Sequence, residues 1–64
     1  MAGHEYMVIA DRAGKVYRVE RQTLIRGALE LEAKGVPIGT MRADEAARLV
    51  LEHLLRKRGV ARPD

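Results

Sequence analysis

The run Gly35-Val36-Pro37-Ile38-Gly39 divides this chain more sharply than any other stretch. It separates a segment rich in Ala, Leu and Glu that ends in EAK from one that opens TMRADEA. Pro removes a backbone donor and stops a helix, and Gly supplies the left-handed backbone on which helices end. The run is therefore read as a link: Gly35 closes one helix, Pro37 prevents its continuation, Thr40 opens the next as N-cap, and Val36 and Ile38 turn to the core. The two helices are expected to fold back on one another as an antiparallel α-hairpin.

The flanking segments have helical signatures of different clarity. Residues 22–34 are mostly strong helix formers, and Leu24, Ile25, Ala28, Leu29 and Leu31 recur at helical spacing. Gly27 in mid-helix costs about 1 kcal/mol, and Glu32 falls on the apolar arc. Read as a strand, ALELEA at 28–33 alternates cleanly; the helix is favoured because the last turn leaves Glu32 within reach of water. Residues 40–58 read as the clearer helix, with Asp44 and Glu45 near its positive end and Arg56, Lys57 and Arg58 near its negative end, ahead of Gly59. Asp44, Arg48, Glu52 and Arg56 alternate in sign at i, i+4, a solvated stripe.

Ahead of both helices, EYMVIADRAGKVYRVER reads as a β-hairpin over residues 5–20, with strands at 5–10 and 15–20 joined through Asp11-Arg12-Ala13-Gly14. Tyr6, Val8 and Ala10 share one face of the first strand, Met7 and Ile9 the other, so both faces are apolar. The expected fold class is α+β, a β-β-α-α chain forming one small domain over residues 1–64, with a frayed tail at 60–64.

Sixty-four residues bury only about 60% of the surface an unfolded chain exposes. Phe, Trp and Cys are absent, and Tyr6 and Tyr17 are the only aromatic residues. Without disulfides, association is the expected remedy. The second helix is apolar over a wide arc, so a homodimer is expected with Val50, Leu51, Leu54 and Leu55 near its interface. Ser and Asn are also absent and Arg outnumbers Lys by nine to three, a thermophile-like profile. The N-terminus carries no basic n-region and no segment reaches the roughly 20 apolar residues of a membrane span. The reading is a soluble, cytoplasmic protein that engages no membrane.

The net charge of +3 is unevenly placed, with +3 over residues 11–27, −2 over 28–52 and +3 over 53–64. Such a footprint attracts nucleic acid by counterion release. The expected phosphate contacts are Arg12, Lys15, Arg18 and Arg21 on the hairpin and Arg56, Lys57 and Arg58 at the helix end. The leading reading is a non-enzymatic, homodimeric DNA- or RNA-binding regulator or accessory factor. The competing one is a protein-interaction or assembly subunit that uses the apolar face of the C-terminal helix.

No catalytic constellation is legible. Ser and Cys are absent, His4 and His53 fit no H-E-x-x-H pattern, and Gly35 and Gly39 match neither phosphate-binding glycine spacing. No catalytic residue, metal site, cofactor or small-molecule substrate is assigned. His53 is expected at the edge of an apolar face, bonded to a carbonyl.

Three DNA- or RNA-binding patterns bear comparison. A helix-turn-helix with Gly35 as its turn would place Pro37 and Gly39 at the start of the second helix and Asp44 at an inward position, and is set aside. The order strand, helix, loop, helix from Lys15 to Arg58 resembles a ribbon-helix-helix repressor, which implies two chains pairing their strands into a ribbon for the major groove. With residues 28–33 as a strand, the hairpin followed by GTMRADEAARLVLEHLL looks somewhat like the end of double-stranded-RNA-binding or phage-integrase arm-binding domains. That likeness implies binding through a sheet face or helix N-terminus.

Overall fold

A computed structural model describes residues 5–57 and 62–63. The elements run β1 (Tyr6–Ala10), β2 (Val16–Glu20), α1 (Arg21–Ala33), a 3-10 turn (Ile38–Thr40), α2 (Ala43–Arg56) and β3 (Arg62–Pro63). The chain is α+β, an antiparallel hairpin followed by two helices, as its sequence predicts. Among the described residues no helix is long and apolar enough to cross a membrane.

The hairpin closes where Asp11 and Gly14 place it. Gly14 N–H donates to the Asp11 carbonyl (3.0 Å), and Asp11 Oδ1 accepts from the N–H groups of Ala13 and Lys15, both at 2.9 Å. Gly14 takes φ +86°, a backbone state that costs little only for glycine. The register pairs Met7 with Val19 and Ile9 with Tyr17. These four residues share the face that meets the helices, whereas Tyr6, Val8, Ala10, Val16 and Arg18 are exposed on the other.

β2 runs into α1 without a linker. The ladder continues one residue past the strand, so that Arg21 N–H, an orphan donor at the helix start, reaches the Glu5 carbonyl at 2.8 Å. α1 spans residues 28–33 as helix, with Glu32 exposed in its last turn. The strand alternative for ALELEA, and the RNA-binding or integrase-like end it implied, is thereby removed. At the C-terminus Val36 N–H reaches the Leu31 carbonyl and Gly35 N–H the Glu32 carbonyl, both at 3.0 Å. With Gly35 at φ +93°, this is a Schellman motif whose usual apolar contact is available between Val36 and Leu31.

The link then departs from expectation. Pro37, at φ −82° and ψ 64°, is the centre of an inverse γ-turn closed by Ile38 N–H to the Val36 carbonyl (2.8 Å). Thr40 does not cap α2. Its hydroxyl donates to the Pro37 carbonyl at 3.0 Å, and the helix starts at Ala43, with Arg42 as an N-cap that makes no side-chain hydrogen bond.

Residues 34–42, which can reach about 30 Å when extended, carry the chain back so that Ile38 lines a groove with Leu24 and Ile25. Helix contacts then advance together: Gly27 lies against Val50 and Leu54, and Glu30 meets His53 and Lys57. α1 and α2 cross with the same sense, not as an antiparallel α-hairpin.

The core consists of Ile9, Val19, Leu31, Val50, Leu51 and Leu54. Val50, Leu51 and Leu54, assigned from sequence to a dimer interface, are therefore the chain's own interior; of that set only Leu55, 38% exposed, stays at the surface. The buried part of the wide apolar arc of α2 packs within the chain, while Ala43 and Leu55 stay exposed and Ala46, Ala47 and Leu49 half-buried. Within the segment expected as a tail, Arg62 and Pro63 pair with Arg18 and Tyr17. Pro63 suits an edge strand because it has no N–H to offer. Residues 60, 61 and 64, and the Gly59 helix stop, lie outside the described residues.

Candidate functional site

Among the described residues the basic side chains named from sequence are spread over separate places. Arg12, in the hairpin turn, pairs with Glu52 of α2 at 3.4 Å, and Arg21 pairs with Glu5 at 3.0 Å. Lys15 lies over the Tyr17 ring (5.5 Å to its centroid) on one face of the sheet, while Arg18 lies over the Tyr6 ring (5.1 Å) on the opposite face. Arg56 is exposed in the last turn of α2. Lys57 donates to Glu30, and Arg58 lies outside the described residues.

The ribbon expected from the ribbon-helix-helix resemblance is unavailable. β2 is the central strand, with β1 on one side and β3 on the other at Tyr17 and Arg18. It has no edge there for a second chain's β2.

Between the helices sits a small polar cluster. His53 is 6% exposed and donates from Nε2 to Glu30 Oε1 at 2.8 Å, and the same oxygen accepts from Lys57 Nζ. These two hydrogen bonds, Lys57 first and His53 second, lower the Glu30 carboxyl from 4.5 to about 2. The buried imidazole thus meets a carboxylate, not the carbonyl expected from sequence, and its Nε2 is satisfied. The cluster joins α1 to α2. Among the described residues no group of three His, Cys, Asp or Glu side chains could hold a metal.

The predicted i, i+4 ladder on α2 is likewise redirected. Glu52 is taken by Arg12, Asp44 lies 3.6 Å from Arg42, and the Nε of Arg48 is buried without a hydrogen-bond partner. Helical spacing brings side chains within reach of each other; competing partners from the turn and the N-cap decide which bonds form.

The remaining surface feature is β1. It forms one margin of the sheet. Since the Glu5 carbonyl and Asp11 N–H bond toward β2, alternation sends the backbone groups of Met7 and Ile9 the same way and those of Val8 and Ala10 outward. The strand reads YMVIA, without charge or Pro, two of the devices that usually blunt a sheet edge. Tyr6, Met7 and Val8 are 50%, 44% and 61% exposed.

Along this edge runs a groove of about 380 Å³, walled by Met7–Ala10 on one side and by Ala43, Asp44, Ala47 and Arg48 of α2 on the other. It adjoins an apolar groove of about 230 Å³ in which Met7 meets Leu24 and Ile25 of α1 and Ala47 of α2. Met7, Val8 and Arg48 were not singled out from sequence as site residues. The signal was present in an uncharged five-residue strand, but nothing local tells an edge strand from a central one. No protein-family model, curated protein or solved structure matches the chain.

Proposed function

We infer that this chain is a small non-enzymatic protein-association module whose working surface is the outer edge of β1 with the groove between that strand and α2. The observation that carries the reading is the combination of an uncharged, Pro-free edge strand with a groove along it that is walled by Ala43, Asp44, Ala47 and Arg48 of α2. Strand addition to such an edge draws affinity from main-chain hydrogen bonds and specificity from pockets for alternate side chains. The reading is the assembly alternative drawn from the sequence, moved from the C-terminal helix, whose Val50, Leu51 and Leu54 are interior, to the first strand. A nucleic-acid role accords less well with the geometry, because Lys15 and Arg18 lie on opposite faces of the sheet and Lys57 is held between the helices by Glu30.

Two variants separate the readings: Val8→Lys, which places a charge on the edge, and the triple change Arg12→Gln, Lys15→Gln, Arg18→Gln. Light scattering from micromolar to millimolar protein is expected to show association that Val8→Lys abolishes and the triple variant keeps. A chain that stays monomeric, yet binds random DNA or RNA with a steep salt dependence lost in the triple variant, overturns the association reading.

A further inference from the structure

We propose that the occupant of the β1 edge is β1 of a second copy of this chain, paired antiparallel about a two-fold axis at Met7, with Glu5 of each copy meeting Arg48 of the other. The proposal rests on the association reading above and adds the partner and the register.

Need and fit point to a second copy. Among the described residues the core holds six buried apolar side chains, while seven large apolar ones are exposed, and Tyr6, Met7 and Val8 among them are consecutive on this edge. A chain of this size is short of buried apolar area. A two-fold contact presents the same patch from both sides, and an antiparallel pair of identical uncharged strands sets no like charges opposite one another within YMVIA.

Charge selects the register. Outward backbone groups belong to even-numbered residues of β1, so the two-fold axis can pass through Met7, Val8 or Ile9. An axis at Val8 sets Glu5 opposite Asp11 of the other copy, twice, and like charges directly opposed are destabilising. An axis at Ile9 carries Glu5 past the strand, opposite Ala13 in the turn. An axis at Met7 places Glu5 opposite Ile9, on the helix-facing side of the sheet. The α2 wall of the groove along β1 is Ala43, Asp44, Ala47 and Arg48, and Arg48 Nε is buried without a partner.

Glu5 is free to make this exchange at small cost. Its bond to Arg21 is exposed on both sides, at 60% and 70% side-chain exposure, and such pairs contribute little. Asp44, also in the groove wall, is engaged by Arg42. Ala43 and Ala47 are small enough for the two α2 helices to approach as the strands meet.

The chain has no cysteine, so single-cysteine variants report the register directly. An axis at Met7 makes the two Met7 residues a non-hydrogen-bonded pair with Cα atoms about 4.5 Å apart, within disulfide range. The two Val8 residues would then stand about 8 Å apart by strand geometry, too far to bridge. Mild oxidation is expected to link Met7→Cys into a covalent dimer and to leave Val8→Cys unlinked, with both variants shown folded by circular dichroism.

Glu5→Arg and Arg48→Glu should each weaken association, and the double variant should restore it. Cross-linking of Val8→Cys in place of Met7→Cys, or no rescue in the double variant, overturns this pairing while association that depends on Val8 leaves the wider reading standing. Association that Val8→Lys does not disturb overturns both.

Discussion

A methyl group added to Gly27 would stand 3.0 Å from Cγ1 of Val50 and 3.1 Å from Cδ2 of Leu54. The glycine in mid-α1, which sequence alone marks as a weakness, is a point where α2 lies close against α1. Its cost in helix propensity is offset by the approach it allows, which brings Val50 and Leu54 into the core at 2% and 3% exposure.

Gly27→Ala should therefore destabilise the chain. Overpacking costs about 1–3 kcal/mol and the gain in helix propensity returns about 1 kcal/mol. In a Val50→Ala background the contact to Val50 is gone while that to Leu54 stays, so the same change should cost less than in the natural chain. Urea denaturation of the four proteins in this cycle measures the coupling, and equal effects in both backgrounds would remove the close-contact explanation.

Gly14 and Gly35 make the opposite case. An added Cβ meets nothing within 4 Å at either position, while φ is +86° and +93°. Replacement by Ala should cost roughly 1–2 kcal/mol at each through backbone strain alone, and Gly35→Asn should cost less than Gly35→Ala. A neutral Gly35→Ala in thermal or urea denaturation would contradict the Schellman ending of α1.

The Glu30 carboxyl, held at about 2 by Lys57 and His53, fixes the sign of an acid effect. A carboxylate with a lowered folded-state pKa contributes stability that is present above its ordinary value near 4.5 and is lost as pH falls toward 2. Denaturant midpoints measured from pH 6 down to pH 2 should fall more steeply for the natural chain than for Glu30→Gln. Parallel pH curves for the two would show that the Lys57 and His53 bonds do not hold in solution.

Leu51 and Leu55 test where the apolar arc of α2 is spent. Leu51 is fully buried and Leu55 is 38% exposed. Leu51→Ala should cost about 2–5 kcal/mol and do so equally at low and high protein concentration, because its contacts lie within one chain. Leu55→Ala should change stability by about 0.5 kcal/mol or less. A penalty at Leu51 that grows with concentration would return that residue to an interface.

Much of this fold is legible in the sequence because the deciding interactions are local. Asp11 and Gly14 specify the hairpin turn through atoms no more than four residues apart, and Gly35 ends α1 through its own last turn. What escapes is settled by distant partners. Thr40 has the chemistry of an N-cap, yet the Pro37 carbonyl takes its hydroxyl. Glu52 is spaced for Arg48 or Arg56 and is claimed by Arg12, forty positions away in sequence. The wide apolar arc of α2 announces that two surfaces must cover it, but a pattern cannot say whether both come from the same chain. The candidate edge is invisible for a similar reason, since Tyr6–Ala10 becomes an edge only because β2 sits between it and β3.

The amide of Val8 tests the central claim most directly, since it points out of the sheet while those of Met7 and Ile9 point toward β2. Residue-resolved hydrogen exchange, followed from low micromolar to millimolar protein, should show Met7 and Ile9 protected throughout and Val8 gaining protection as concentration rises. Rapid exchange at Val8 across the whole range, in a chain that nevertheless associates, would contradict strand addition at β1 and place the association surface elsewhere.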